Sequence, residues 1–288
     1  MTPEAISEAP AKVNLYLHVT GRRADGLHEL DSLVVFASIG DSIIARPAPE
    51  GKITLSVEGP RADGVPTGSD NLVAKAARLL ADAAGLRTGA AITLIKRLPM
   101  AAGIGGGSAD AAAALKALIR LWDVDIPEPL AADIALKLGA DVPVCLAGES
   151  AFISGVGEHI KRAPKLPPAW LVLANPGAPL STPDVFAARE GGFSEPAPFS
   201  RPPDGARELA ELLSVRGNDL AAAACRLEPK AGATLAALES QDGALLARMS
   251  GSGATCFALF AEESEARTAA GRLASLQPDW WVAAAKLL

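Results

Sequence analysis

Polar and apolar residues alternate strictly from Lys12 to Val19. Val13, Leu15, Leu17 and Val19 share one face, and Lys12, Asn14, Tyr16 and His18 the other. A period of two predicts a half-buried strand. A polar loop, GRRADGLHELDS, leads to a second apolar run, LVVFASIGDSIIAR. KITLSVEG alternates again, NLVAKAARLLADAAG reads as a helix ending at Gly85, and AAITLIKRLP as a strand stopped by Pro99. Farther on, Leu115, Leu118, Ile119 and Trp122 recur at helical spacing, predicting an apolar stripe. Ser108 and Asp110 stand where that helix would begin, which suits capping. A further helix, EPLAADIALKLG, ends at Gly139 and is followed by the short strand SAFISG.

The Pro- and Lys-rich stretch KRAPKLPP divides the chain into residues 1–163 and 164–288. Beyond it, WLVLANPG reads as a strand. REGGFSEPAPFSRPPDGA, rich in Gly, Pro and Ser, reads as a mobile surface loop. The tail reads strand (ALLARMSG), strand (TCFALFA), helix (ESEARTAAGRLASL), strand (WWVAAAKLL). This irregular order argues for an α+β fold over a regular βαβ array.

Composition narrows the class. With 288 residues, 49% of them hydrophobic, the chain can build an ample core. A net charge of -6, with Lys and Arg scattered, argues against a nucleic-acid surface. Cys145, Cys225 and Cys256 are odd in number and form no CxxC pair, so neither a disulfide framework nor a zinc site is indicated. Buried reduced thiols fit a reducing compartment. The N-terminus has no charged segment followed by an apolar one, and no apolar run reaches about 18 residues. The expectation is a cytoplasmic protein with no membrane partner.

The chemistry concentrates in LPMAAGIGGGSADAAAAL, where four of the five residues 103–107 are glycine. Glycine inside an element costs about 0.5–1 kcal/mol relative to alanine, so the cluster needs a reason. A Walker A loop would place a lysine directly before the Ser, but Gly107 stands there and no lysine follows Ser108 until Lys116. The G-x-G-x-x-G fingerprint matches at Gly103 and Gly105 but meets Ser108 at its third glycine, after a strand carrying Lys96, Arg97 and Pro99. What remains is a glycine loop presenting backbone N–H groups at a helix N-terminus, which is an anion site.

This segment resembles the central PxxxGLGGSSA-type motif of the GHMP kinases, which phosphorylate small alcohols. AKVNLYLHVTGRRADGLHELDSL resembles their N-terminal motif, and SGSGATCFALF their C-terminal glycine motif. K-x-N-L-x-L with D-G-x-H-E-L, G-G-G-S-A-D-A-A, G-A-D-V-P and NPG...STPDVF resembles the branch acting on a cytidine diphosphate-linked methylerythritol. The similarity runs from Ala11 to about Phe260. It implies a two-domain α+β fold: a ribosomal protein S5 domain 2-like N-terminal domain and a ferredoxin-like C-terminal domain, with the active site in the cleft between them. It implies transfer of the ATP γ-phosphate to the 2-hydroxyl of that substrate, in the non-mevalonate isoprenoid route. ATP and Mg2+ are the expected cofactors, and a monomer or weak homodimer the expected state.

The same resemblance carries roles to matching positions. Asp141 is the base and Lys12 its cationic partner. Pro99, Met100, Ala101, Ala102, Gly103, Ile104, Gly105, Gly106, Gly107, Ser108 and Ala109 form the ATP loop, with alanines at 101 and 102 where the family has glycine. Asn14, His28, Lys96, Thr182 and Phe186 are substrate contacts. His28 reads the cytosine and Phe186 is one aromatic wall, while Lys96, with Arg97 as rival, meets the diphosphate. Leu27 departs from the family tyrosine that stacks on the base; such stacking is worth about 1–3 kcal/mol. Gly251 and Gly253 flank a turn expected to face the phosphates. No metal ligand is identified. Two other readings stand beside this one: a GHMP kinase for another small alcohol, and a non-catalytic binding protein on the same scaffold.

Overall fold

The computed structural model describes residues 4–288. The chain forms two compact units. One comprises the stretch through Ala11, Gly40–Met100 and Gly105–Gly148; the other comprises Lys12–Ile39, Ala101–Ile104 and Glu149–Leu288. Two long strands, β1 (Ala5–Arg22) and β2 (His28–Ala48), pair with each other and contribute residues to both.

In the first unit the later half of β2 is followed by β3 (Ile53–Glu58), α1 (Leu72–Ala83) and β4 (Gly89–Ile95). β4 runs antiparallel to β2, from Ser42 opposite Ile95 to Ala48 opposite Gly89, and parallel to β3. Asn71 caps α1, its side chain accepting the Val73 N–H at 2.8 Å. The helices α2 (Gly106–Trp122), α3 (Glu128–Leu138) and α4 (Val142–Ala147) complete this unit. α2 packs on α1, α3 and α4. Its burial differs from the expected stripe: Ala109 and Ala111–Ala114 are all buried, whereas Ile119 and Trp122 are only partly so. Alanines let three helices approach from several sides, which an apolar-periodicity argument does not register.

The second unit joins the earlier half of β2 to β5 (Ala151–Gly155) and β6 (His159–Arg162). A second sheet is built from β7 (Trp170–Asn175), then, after the helices α5 (Thr182–Ala187), α6 (Ala206–Ser214), α7 (Ala221–Leu227) and α8 (Pro229–Glu239), from β8 (Leu246–Met249) and β9 (Cys256–Phe260). α9 (Glu263–Leu276) and β10 (Trp281–Lys286) close it. The spatial order β10-β7-β9-β8, all antiparallel, is the ferredoxin-like arrangement expected. Its core is Val172, Ala174, Cys256, Ala258 and Phe260 against Leu238 and Leu273.

Three details depart from the sequence reading. β1 is buried on both faces from Ala11 to Val19, so its polar residues do not face solvent. The helices α6–α8 follow the Pro-rich stretch, where no element was anticipated. That stretch lacks regular structure, yet it is tethered. Ser194 N–H donates to Val19 O at 2.9 Å, Ala197 N–H to Asp31 at 2.7 Å, and Arg216 to Ala197 O at 2.6 Å. Among the described residues no helix is long and apolar enough to cross a membrane.

Candidate active site

In the second unit, residues 101–104 of the glycine loop are laced to their neighbours by backbone bonds. Lys12 N–H donates to Ile104 O at 3.0 Å, and Thr255 N–H to Ala102 O at 3.2 Å. Ser250 Oγ donates to Gly103 O at 3.0 Å and accepts Asn14 N–H at 3.1 Å. The fit leaves no room for a side chain. A Cβ at Gly103, whose φ is +72°, would lie 2.6 Å from the carbonyl oxygens of both Ser250 and Gly253. A Cβ at Gly251 would lie 2.8 Å from Gly103 O. The two glycine motifs are therefore packed backbone to backbone. Asn218 holds the second turn by donating to Met249 O and Gly251 O, both at 2.8 Å. The Thr182 and Ser252 hydroxyls meet at 2.7 Å. The 250–255 turn thus joins β8 to β9, and it is also part of the loop cluster.

Lys12 and Asn14 are 4% and 2% exposed. Asn14 Nδ2 donates to Ser32 at 2.8 Å, but its Oδ1 is buried with no protein donor. His28 and Phe186 stack on one another, centroids 5.0 Å apart and planes 23° from parallel. Burial, followed by the charges of Arg22 and Arg189, lowers the His28 pKa below its usual value. Leu27, beside it, is 53% exposed.

In the first unit, Gly105 precedes α2 in the left-handed conformation (φ +62°), and no side chain caps the helix. The expected capping by Ser108 or Asp110 is absent. Gly106, Gly107 and Ser108 form the first turn, leaving its N–H groups to an external acceptor. Pro99 is half-buried and Met100 exposed. Asp141 is the half-buried N-cap residue of α4, with Pro143 in the first turn, so it opens a helix instead of lying in a plain loop.

Asp110 points elsewhere. Lys96 Nζ donates to Asp41 Oδ2 at 2.5 Å and to Asp110 Oδ2 at 2.8 Å, all three side chains being almost fully buried. Asp41 Oδ1 also accepts the N–H groups of Arg97 (2.5 Å) and Leu98 (2.9 Å). Burial lifts the Asp110 carboxyl to about 7; Lys96 opposes that shift and Asp41 adds to it. Burial alone would lower Lys96, but the two carboxylates hold its pKa above the usual value. The sequence reading missed Asp41, Ser250 and Asn218. No local pattern links positions 41, 96 and 110. Arg97, the rival of Lys96, instead bonds Ser42 at 2.7 Å.

Cys145 and Cys256 are buried, Cys225 is half-buried, and none of the three is in a disulfide. Among the described residues no three His, Cys, Asp or Glu side chains gather as a metal cage.

Comparison with known proteins bears on what this arrangement serves. A model of the GHMP kinases N terminal domain matches residues 71–149, and one of the GHMP kinases C terminal matches 204–279. A 4-diphosphocytidyl-2-C-methyl-D-erythritol kinase of Paramagnetospirillum magneticum is 58% identical over 281 residues, covering 98% of both chains. One from Rhodospirillum rubrum is 52% identical over 98% of this chain and 92% of its own. The crystal structure of a 4-(cytidine 5'-diphospho)-2C-methyl-D-erythritol kinase superposes with a TM-score of 0.81 at 36% identity, covering 98% of each chain. A homoserine kinase from Cytophaga hutchinsonii shares the fold, with a TM-score of 0.75 at 16% identity over 100% of this chain and 96% of its own. The chain belongs to the GHMP kinases, in the branch of the 4-diphosphocytidyl-2-C-methyl-D-erythritol kinases.

Proposed function

We propose that this chain transfers the γ-phosphate of ATP to the 2-hydroxyl of 4-diphosphocytidyl-2-C-methyl-D-erythritol, in the cytoplasm. The observation that carries the reading is the uncapped, glycine-built start of α2 in a chain 58% identical to a kinase of that name. Residues 99–109 hold the ATP phosphates. Their contribution is bare backbone, N–H groups and the positive end of a 17-residue helix. Magnesium would arrive bound to ATP and would supply neutralisation of the charge on the transferring phosphoryl group. No protein ligand is assigned to it.

Asp141 accepts the proton of the attacking hydroxyl and orients it, and Lys12 is the second catalytic residue, a buried cation in a reaction that concentrates negative charge. Asn14 offers its unpaired Oδ1 to a substrate hydroxyl. His28, kept neutral at pH 7 by its lowered pKa, has one ring nitrogen to donate and one to accept, as a cytosine edge requires. Phe186 supplies a stacking face; the His28–Phe186 stack must part to admit a base. Thr182 lies beside Ser252 on the second glycine turn. Lys96 is the exception. Two of its three N–H donors are already committed to carboxylates, which favours a supporting place over a diphosphate contact. In sequence the two family domains divide at 163/164, between the matched segments.

The test is ADP release from ATP, magnesium and 4-diphosphocytidyl-2-C-methyl-D-erythritol. The parent turns over, and Asp141→Asn falls by about 10²–10⁴ in kcat while still binding ATP. Folded, ATP-binding parent that ignores this substrate but phosphorylates another small alcohol would overturn the substrate. Absence of transfer to any alcohol would point to the binding-protein reading.

A further inference from the structure

The glycine loop has two stems: Lys96–Leu98 enters it, and the first turns of α2 leave it. Both stems belong to the same unit, and both are tied to one buried cluster. Asp41, on β2, grips the entering stem three times, through the Lys96 ammonium and the Arg97 and Leu98 N–H groups. Lys96 in turn reaches the leaving stem at Asp110. Asp41 is fully buried, and Lys96 and Asp110 are 4% and 3% exposed. The cluster lies directly under the start of the helix: a Cβ on Gly106 would sit 3.3 Å from Lys96 Nζ and 4.0 Å from Asp41 Oδ2.

We infer that Asp41, Lys96 and Asp110 are positioning residues that fix the separation of the loop's stems, and so preset the loop for ATP. The inference rests on the reading that residues 99–109 bind the ATP phosphates. A glycine-rich segment is conformationally permissive, and its stems must be held if its N–H groups are to converge. An apolar contact could hold them apart but not in register. A multiply bonded ionic cluster is directional and specifies one arrangement. Replacing such a cluster with apolar groups often leaves stability unharmed, so keeping it is not explained by stability alone. Its use here is geometric: small misplacements near reacting groups cost about 10²-fold in rate.

The experiment compares steady-state kinetics and hydrogen exchange for the parent and Lys96→Met. The expected result is a KM for ATP raised about 10- to 10²-fold. The KM for the cytidine substrate should stay within about twofold, and amide exchange across residues 98–108 should be faster. If Lys96→Met does not fold, the Asp41→Asn/Lys96→Met/Asp110→Asn triple variant, which buries no unpaired charge, takes its place under the same readouts. A folded variant with parental KM for ATP and parental exchange overturns the inference. So does a rise confined to the KM for the cytidine substrate, which would place Lys96 on the diphosphate. A Gly105→Val control separates the two readings: if it leaves ATP binding intact, the loop assignment itself fails, whatever Lys96→Met does.

Discussion

The two halves of the glycine loop use glycine for different reasons. At Gly103 the reason is another backbone: Ser250 and Gly253 lie where a side chain would be, and Gly251 makes the reciprocal approach. At Gly106 and Gly107 space is less restricted. The nearest atoms to a Cβ at Gly107 belong to Leu72 at an ordinary 3.6 Å. Gly105 takes a left-handed φ of +62°. The loop is thus anchored by packing at one end and left bare at the other. A bare backbone with room around it is what a ligand needs, so within the 99–109 loop residues 105–108 offer the N–H groups while residues 101–104 anchor the loop.

The largest effect that sharpens this contrast is expected from Gly103→Ala. It combines a non-glycine φ of +72° with two carbonyl contacts at 2.6 Å. The loss should be about 3–5 kcal/mol, read by urea or thermal unfolding. A loss below about 1 kcal/mol would mean the two turns move apart easily. Next comes the pH response of the bare end's support. Asp110 holds its proton up to about 7 in the fold, far above its value of 3.8 when unfolded. The folded state therefore binds more protons between these values, and stability falls as pH rises through that window. Asp110→Asn removes the titration, so parent and variant unfolding curves should diverge between pH 4 and 7 and run parallel above it. Curves that stay parallel throughout would refute the shift. The smallest effect is Gly107→Ala, which should gain about 0.5–1 kcal/mol from helix propensity. If phosphate lies against that backbone, the same variant should raise the KM for ATP. Greater stability with unchanged KM would move the phosphate away from residue 107.

Much of the architecture was legible in the chain. The strands β3, β4, β7 and β9 and the helices α1, α3 and α9 follow from period and from stop signals such as Gly85 and Gly139. β1 shows the limit of that reasoning. Its Lys12, Asn14, Tyr16 and His18 face looks solvated because alternation reports polarity and not what the polar groups meet; here they are buried. Tyr16 donates to Asp31 at 2.9 Å, and His18 Nδ1 bonds Glu195 O at 3.0 Å. The motifs marked the loop, Lys12 and Asp141 through resemblance. They could not mark Asp41, whose partners stand 55 to 57 positions away. Asp110 was visible but misread, because an acidic residue near a helix start suits a cap as well as a buried ion pair.

The bond between Asn14 and Ser250 spans 236 residues. On the ribosome the first strand emerges long before its partner exists. At roughly 5–20 residues per second, the wait is roughly 10–50 s. For that time the nascent chain carries the apolar row Val13, Leu15, Leu17 and Val19 without the turn that later secures it. The strand that bears Lys12 is thus made long before the turn that secures it, so truncation of the gene ahead of Ser250 should impair that strand as well as the residues lost.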